Sequence, residues 1–208
     1  MPKDEHFVTR PKKKGLYDPD FERDSCGVGL VANVKGLPSR EIMDNAYLIN
    51  SRMDHRGGCG FEENTGDGAG ILLALPDSFF QTEAKTLGFQ LPNKGKYAVG
   101  NIFLPQKSSE YDFCKEFVEK ILFQEGLEFL GWRKVPTNQQ KANVGPAALD
   151  CQPKIEQLFV GAKGNISQDD FERKLYLSRK IFSKRLRFEE GLTQGLMFYA
   201  CSLSSRLI

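Results

Sequence analysis

The residue best suited to covalent chemistry in this sequence is Cys26, in the stretch "ERDSCGVGLVANVKG" (residues 22–36). It stands where a charged arm meets an apolar run, and Gly27 follows it directly. A cysteine attacks as the thiolate, so it needs a base or a positive environment nearby. The sequence has only two histidines, His6 and His55, and neither lies within several residues of Cys26. A Cys/His pair would have to be assembled by the fold.

Cleavage of the peptide bond before Cys26 would supply a base in another way. Cys26 would then carry a free α-amino group with a pKa of about 7.7–8.0, which suits proton transfer near neutral pH. An intact amide nitrogen cannot accept that proton. The residues alone also leave a structural interpretation open, in which Cys26 is a small buried apolar residue at the start of a strand.

A second group of candidate residues lies in "HRGGCGFEENTGDGAGILLAL" (residues 55–75). The glycine-rich loop "TGDGAG" precedes an apolar run, whereas a phosphate-binding loop follows a strand and opens a helix, so nucleotide binding is disfavoured. Its glycines would let the backbone approach a ligand or another strand, with Asp67 available for a hydrogen bond. Arg56, at the end of a predicted helix, could bind a carboxylate through two hydrogen bonds or could cap the helix.

The elements that must position these residues alternate between strands and helices. Ser39 is predicted to cap the first helix, and Ser167 with Asp170 forms a capping-box pattern at the start of the last one. Helices are predicted at residues 39–53, 78–87, 108–125 and 167–187, and strands at the apolar runs 27–34, 69–76, 97–105, 127–135, 155–162 and 196–208. The chain stops inside an apolar run, which predicts that it is the front part of a longer protein.

Composition and charge exclude several classes of function. A net charge of +2 is too small to argue for a nucleic-acid partner. No apolar run approaches the ~20 residues that cross a bilayer, and the N-terminus lacks the apolar core of a signal peptide. The five cysteines are scattered and odd in number, which is typical of reduced thiols. We therefore expect a cytoplasmic protein with no metal site and no membrane or nucleic-acid partner.

Three segments carry a family resemblance: "YDPDFERDSCGVGLVA", "MDHRGGCGFEENTGDGAGI" and "FYACSLSSR". Together they resemble the class II glutamine amidotransferases of the N-terminal-nucleophile hydrolases, and among these the N-terminal domain of glutamate synthases. The resemblance runs from about Tyr17 to the end of the chain. It implies an α+β fold, the four-layer αββα sandwich, incomplete because the chain ends before the domain does. Residues 1–25 would be a propeptide-like arm, and residues 26–208 the N-terminal part of the amidotransferase domain.

The resemblance also implies a role for each candidate site residue. Cys26, freed by removal of the arm, would be the catalytic nucleophile that attacks the side-chain amide of glutamine. Gly27 would leave backbone room beside it, and Arg56 would hold the nucleophile end and its loop and could also contact the substrate. Asp67 and Gly68 would line the substrate pocket.

The same resemblance implies partners and cofactors. Glutamine would be the substrate, and a downstream synthase domain of the same chain would use the ammonia to make glutamate from 2-oxoglutarate. That domain would need FMN, an iron–sulfur cluster and NAD(P)H or ferredoxin, whereas this segment should hold no cofactor. The family's carboxylate-binding arginine and Asn-Gly oxyanion hole lie in "RYSTN"-like and "HNGE"-like segments, which these 208 residues lack. Because one oxyanion donor contributes on the order of 10²–10³ in rate, we expect low glutaminase activity from this segment alone.

Two other interpretations stay open at the level of sequence. The chain could be the amidotransferase domain of a different synthase, in a nucleotide or amino-sugar pathway. It could also be a catalytically silent, truncated module that acts in binding or assembly through its basic last helix. The N-terminal residue of the mature protein distinguishes an enzyme from a silent module.

Overall fold

The computed structural model describes residues 27–53, 56–58, 62, 65–66 and 68–208, together with 13 and 15–16. The chain divides into two compact units. The N-terminal unit comprises Met1–Gly60 and Gly66–Ala69, and the main unit comprises Phe61–Thr65 and Gly70–Ile208. Apart from 13 and 15–16, the predicted propeptide-like arm lies outside the described residues.

Most of the described helices and strands belong to the main unit. The N-terminal unit contains α1 (Arg40–Arg52). The main unit contains α2 (Asp77–Thr86), β1 (Tyr97–Leu104), α3 (Ser108–Gln124), β2 (Leu127–Lys134), α4 (Gln139–Ala142), α5 (Pro146–Asp150), β3 (Lys154–Ala162), α6 (Gln168–Phe188) and β4 (Tyr199–Ala200). A 3-10 turn at Gly195–Met197 precedes β4.

The strands of the main unit form an antiparallel sheet in the order β2-β3-β1-β4. β1 and β3 pair along their whole length, from Tyr97 opposite Gly161 to Leu104 opposite Lys154. β2 pairs with the other side of β3, with an irregular register after Phe129. Helices combined with an antiparallel sheet confirm the predicted α+β class.

The sheet buries both of its faces because successive side chains of a strand point to opposite sides. One set of side chains packs with α3 and α6; it includes Ala98, Ile102, Leu104, Leu158 and Val160. The other set packs with Phe80 of α2 and with Ile208; it includes Tyr97, Val99 and Phe159. The central strands β1 and β3 therefore hold the core of the main unit together.

The predicted strand at residues 27–34 is wrong in this structure, which contains no strand there. Val28 is 89% exposed and Leu30 is 88% exposed, so these apolar side chains lie outside any core. A strand is stabilised only when its backbone groups bond to a neighbouring strand. No described strand pairs with residues 27–34.

The predicted strands at 69–76 and 196–208 form only in part. Leu73 and Ile208 exchange two backbone hydrogen bonds of 2.9 Å each, beside an isolated antiparallel bridge between Ala74 and Leu207. β4 is two residues long, and a second isolated bridge joins Ser204 to β1. Both runs are extended segments against the sheet rather than full strands.

The predicted helices are confirmed, with small changes at their ends. Ser39 accepts a hydrogen bond from the backbone N–H of Ile42 at 3.3 Å and caps α1. Ser167 caps α6 in the same way, through the N–H of Asp170 at 3.1 Å. The polar connection predicted at 137–153 contains the short helices α4 and α5.

Candidate active site

The predicted site residues fall into two groups. Cys26 and Asp67 lie outside the described residues. Gly27, Arg56 and Gly68 belong to the described part of the N-terminal unit, and all three are exposed. The structure therefore locates Gly27, the residue after the predicted nucleophile in sequence, together with Arg56 and Gly68 of the predicted site.

Gly27 lies against the C-terminal end of α1. A Cβ atom at position 27 would lie 2.8 Å from Sδ of Met53 and 3.4 Å from Cβ of Arg56. The first distance is shorter than real Cβ contacts, so a side chain at position 27 would force Met53 to move. Glycine is needed here for close approach, and this approach brings the residue after Cys26 next to Arg56.

Helix α1 places Arg56 at its exit, as the sequence predicts. The helix ends with the N–H of Met53 bonded to the carbonyl of Asn50. The N–H of Arg56 then bonds to the carbonyl of Met53 at 2.8 Å, which continues the turn. The position of Arg56 thus follows from the length of α1 and the turn after it.

Glu62, which the sequence analysis did not single out, is hydrogen-bonded to the start of the predicted pocket loop. Its carboxylate accepts a hydrogen bond from the hydroxyl of Thr65 at 2.8 Å and one from the N–H of Ala147 at 2.9 Å. The N–H of Thr65 also bonds to the carbonyl of Glu62 at 3.0 Å. Glu62 therefore ties the residue that begins the "TGDGAG" loop to the start of α5, within the main unit.

Gly145 makes this connection possible. A Cβ atom there would overlap the carboxylate of Glu62 and would lie 2.9 Å from Oγ1 of Thr65. The backbone bond from Ala147 is the main cause that lowers the pKa of Glu62, and the Thr65 hydroxyl adds to it. Glu62 is therefore a carboxylate at neutral pH. A local sequence pattern could not have predicted this bond, because Ala147 lies 85 residues further along the chain.

The structure describes three of the five cysteines in the sequence. Cys114, Cys151 and Cys201 are all free thiols. Burial raises the pKa of Cys114 to about 12, and the charge of Glu110 adds to the shift, so this thiol stays protonated. Cys151 is exposed and donates to the carbonyl of Ala147 at 3.2 Å.

The described residues contain neither a cluster of metal ligands nor a membrane-spanning helix. Among the described residues, no three or more histidine, cysteine, aspartate or glutamate side chains form a group that could bind a metal ion. No helix in the described ranges combines the length and apolar character needed to cross a membrane.

Comparison with known proteins identifies the family of this sequence. Residues 26–208 match the family described as "Glutamine amidotransferases class-II", and the match begins at Cys26. The chain belongs to the class II glutamine amidotransferases. Gly27, which lies close to Met53 and Arg56, is the second residue of the matched range.

Several relatives of this amidotransferase chain are glutamate synthases. The NADPH glutamate synthase large chain of Bacillus subtilis is 42% identical over 203 residues, which cover 97% of this chain and 13% of that protein. Ferredoxin-dependent glutamate synthase 1 of Arabidopsis thaliana is 39% identical, and the match covers 97% of this chain and 12% of that protein. The NADH glutamate synthase of Saccharomyces cerevisiae is 37% identical, and the match covers 99% of this chain and 10% of that protein. The chain thus spans about an eighth or less of these relatives.

Proposed function

We propose that this chain is the glutamine-hydrolysing part of a glutamate synthase, with Cys26 as the nucleophile. The observation that carries the proposal is the close approach of Gly27 to Met53 and Arg56 at the end of α1, directly after the residue at which the family match begins. Glycine at position 27 leaves no side chain between the backbone after Cys26 and the end of α1, where Met53 and Arg56 lie.

The reaction proceeds in two steps once residues 1–25 are removed. The α-amino group of Cys26 takes the thiol proton, and the sulfur forms a bond to the side-chain carbonyl carbon of glutamine. The C–N bond breaks, and the nitrogen leaves as ammonia with the transferred proton. Water then attacks the glutamyl thioester, which releases glutamate and restores the thiol.

The neighbouring residues position this chemistry. Arg56 holds the nucleophile end through its place against Gly27, and its guanidinium is suited to bind a carboxylate. Asp67 and Gly68 line the glutamine pocket. Glu62 fixes Thr65, from which the loop with Asp67 and Gly68 continues.

The wider assignments rest on the relatives and belong to the same proposal. The ammonia would serve a synthase domain of the same polypeptide, and the complete amidotransferase domain would be the four-layer αββα sandwich. FMN, an iron–sulfur cluster and NAD(P)H or ferredoxin would serve that synthase domain. Clusters are held by cysteine thiolates, and the described cysteines form no such group. A cytoplasmic location stays a prediction, since the Arabidopsis relative is named chloroplastic/mitochondrial.

Intact-mass measurement with a thiol-reactive glutamine analogue tests the proposal. The chain, and any longer polypeptide that its gene encodes, is expressed, and its mass is measured before and after treatment. We expect loss of residues 1–25 and one adduct on Cys26. Cys26→Ser should form no adduct and should lose glutaminase activity, because a hydroxyl of much higher pKa replaces the thiol.

Cys151→Ser is the matched control, because Cys151 is an exposed thiol in the main unit. It should keep both the adduct and the activity. Active protein that still carries Met1, or an adduct that persists in Cys26→Ser, would contradict the proposal. Protein with Met1 retained, no adduct and no activity would instead favour a silent binding module.

A further inference from the structure

A groove of about 420 Å³ opens on the main unit beside the first turn of α3. It lies where β2 ends and β3 begins, and the connection that contains α4 and α5 forms its other wall. Its volume lies within the range of about 300–1,000 Å³ that is typical of small-molecule sites. Its lining comprises Gln106, Tyr111, Lys134, Val135, Thr137, Gln139, Leu149, Gln152, Pro153, Lys154, Ile155 and Glu156.

The wall of the groove is held in place mainly by the side chain of Gln106. Nε2 of Gln106 donates to the carbonyl oxygens of Gln152 at 2.9 Å, Asp150 at 3.1 Å and Leu149 at 3.4 Å. Gln139 adds a bond to the side chain of Gln152 at 3.3 Å. The residues that face a ligand are therefore positioned before it binds.

The acidic residue in the groove is already neutralised. Glu156 is 6% exposed and accepts hydrogen bonds from the hydroxyl of Tyr111 and from Nζ of Lys115, the latter at 2.9 Å. Burial raises the pKa of Tyr111. Burial lowers the pKa of Lys115, but its bonds to Glu156 and Tyr111 outweigh that effect, so the net shift is upward. At neutral pH Tyr111 is therefore a protonated phenol and Lys115 an ammonium, and both donate to Glu156.

Two further ammonium groups in the groove have no carboxylate partner among the described residues. Nζ of Lys154 lies 4.1 Å from the centre of the Tyr111 ring, a neutral partner. Lys134 lines the groove and lies opposite Glu156 in the pairing of β2 with β3, but neither Lys134 nor Lys154 forms an ion pair within 4.0 Å with a described carboxylate. The charged lining residues Lys134, Lys154 and Glu156, taken together with the adjacent Lys115, carry a net charge of about +2.

We propose that this groove binds a small organic dianion whose charged group lies between Lys134 and Lys154. The apolar body of such a ligand would contact Tyr111, Val135 and Ile155, and the surrounding amide and hydroxyl groups would hydrogen-bond its polar atoms. An ammonium is a point charge that pairs with a carboxylate or with a phosphate. The shared chemistry is therefore an anionic group on a small carbon skeleton, and none of the residues that line the groove is assigned to the proposed glutamine site.

Trp132 provides a built-in reporter for binding. It is the single tryptophan of the sequence, and its ring centre lies 4.9 Å from Nζ of Lys115. The chain is titrated at constant ionic strength with succinate, with glycerol 3-phosphate and with sulfate, which lacks a carbon skeleton. We expect a saturable change in Trp132 emission with succinate or glycerol 3-phosphate, and a weaker response to sulfate. Comparison of the first two identifies the preferred charged group.

The double variant Lys134→Gln/Lys154→Gln should bind at least about tenfold more weakly. Lys163→Gln/Lys180→Gln is the matched control, because these two lysines also lie over aromatic rings of the main unit, away from the groove. It should bind as the parent chain does. Calorimetric titration measures the same affinities without the reporter. The proposal is overturned if the parent chain shows neither signal, or if the groove variant binds as tightly as the control.

Discussion

Glu110 joins two segments that are far apart in sequence. It lies in the first turn of α3 and is 6% exposed. Its carboxylate accepts bonds from the hydroxyl and N–H of Thr193 and from the N–H of Gln194, the last at 2.8 Å. These bonds, led by that from the Thr193 hydroxyl, lower the pKa of Glu110 to about 2. The charged form therefore fixes the start of α3 to the segment that follows α6.

Replacement of Glu110 by glutamine should destabilise the protein in a pH-dependent way. The folded pKa lies below the ordinary value of about 4.3. The carboxylate therefore stabilises the fold above that value, and its contribution is lost as the pH falls toward about 2. Urea unfolding of Glu110→Gln should show a lower midpoint at pH 7 and a smaller difference from the parent chain at pH 3. Glu116→Gln, at an exposed position of α3, should change the midpoint little; equal effects of the two variants would contradict the assignment.

At the level of elements, α6 depends on its N-terminal cap. Ser167 accepts from the N–H of Asp170, and its hydroxyl donates to the carboxylate of Asp170 at 2.6 Å. Both residues were identified from the sequence as a capping pattern. The helix that they begin buries Phe171, Leu175 and Phe182 against the sheet, so fraying of its first turn would expose core residues.

Ser167→Ala should lower the free energy of unfolding by about 1 kcal/mol, because it leaves the N–H of Asp170 without its acceptor. Ser167→Asp, which restores an acceptor at the cap, should recover most of that loss. Ser108→Ala is the control, since α3 begins at Ser108 without a side-chain cap. Thermal or urea unfolding measures all three. If Ser108→Ala costs as much as Ser167→Ala, the cap is not the cause.

Local signals explain which elements were predictable. Each signal for the helices α1, α3 and α6 lies within one or two helical turns of sequence: Ser39 for α1, the apolar spacing for α3 and Ser167 for α6. These three helices formed where they were expected. Residues 27–34 were predicted as a strand from composition alone, yet pairing depends on distant backbone that no local window contains. The bond between Glu62 and Ala147 has the same non-local character. The site roles predicted for Gly27 and Arg56 come from the family resemblance rather than from propensity, and they stay predictions.

At the level of the whole molecule, burial is distributed unevenly along the chain. In the main unit, Leu158, Phe159 and Val160 of the central strand are completely buried. In the N-terminal unit, α1 contains no buried residue. The stability of local structure follows the apolar area that it removes from water, so the two units should differ in the free energy needed to open their backbone hydrogen bonds.

Amide hydrogen exchange should therefore separate the two units. We expect the amides of β3, paired with β1 on one side and β2 on the other, to exchange at least about a thousandfold more slowly than those of residues 27–34. The amides of α1 should be intermediate, since they are hydrogen-bonded within the helix but lack a buried face. Exchange followed by mass spectrometry of peptides measures all three segments in one sample. Equal protection of 27–34 and β3 would contradict this account, because it would require residues 27–34 to be paired and covered in solution.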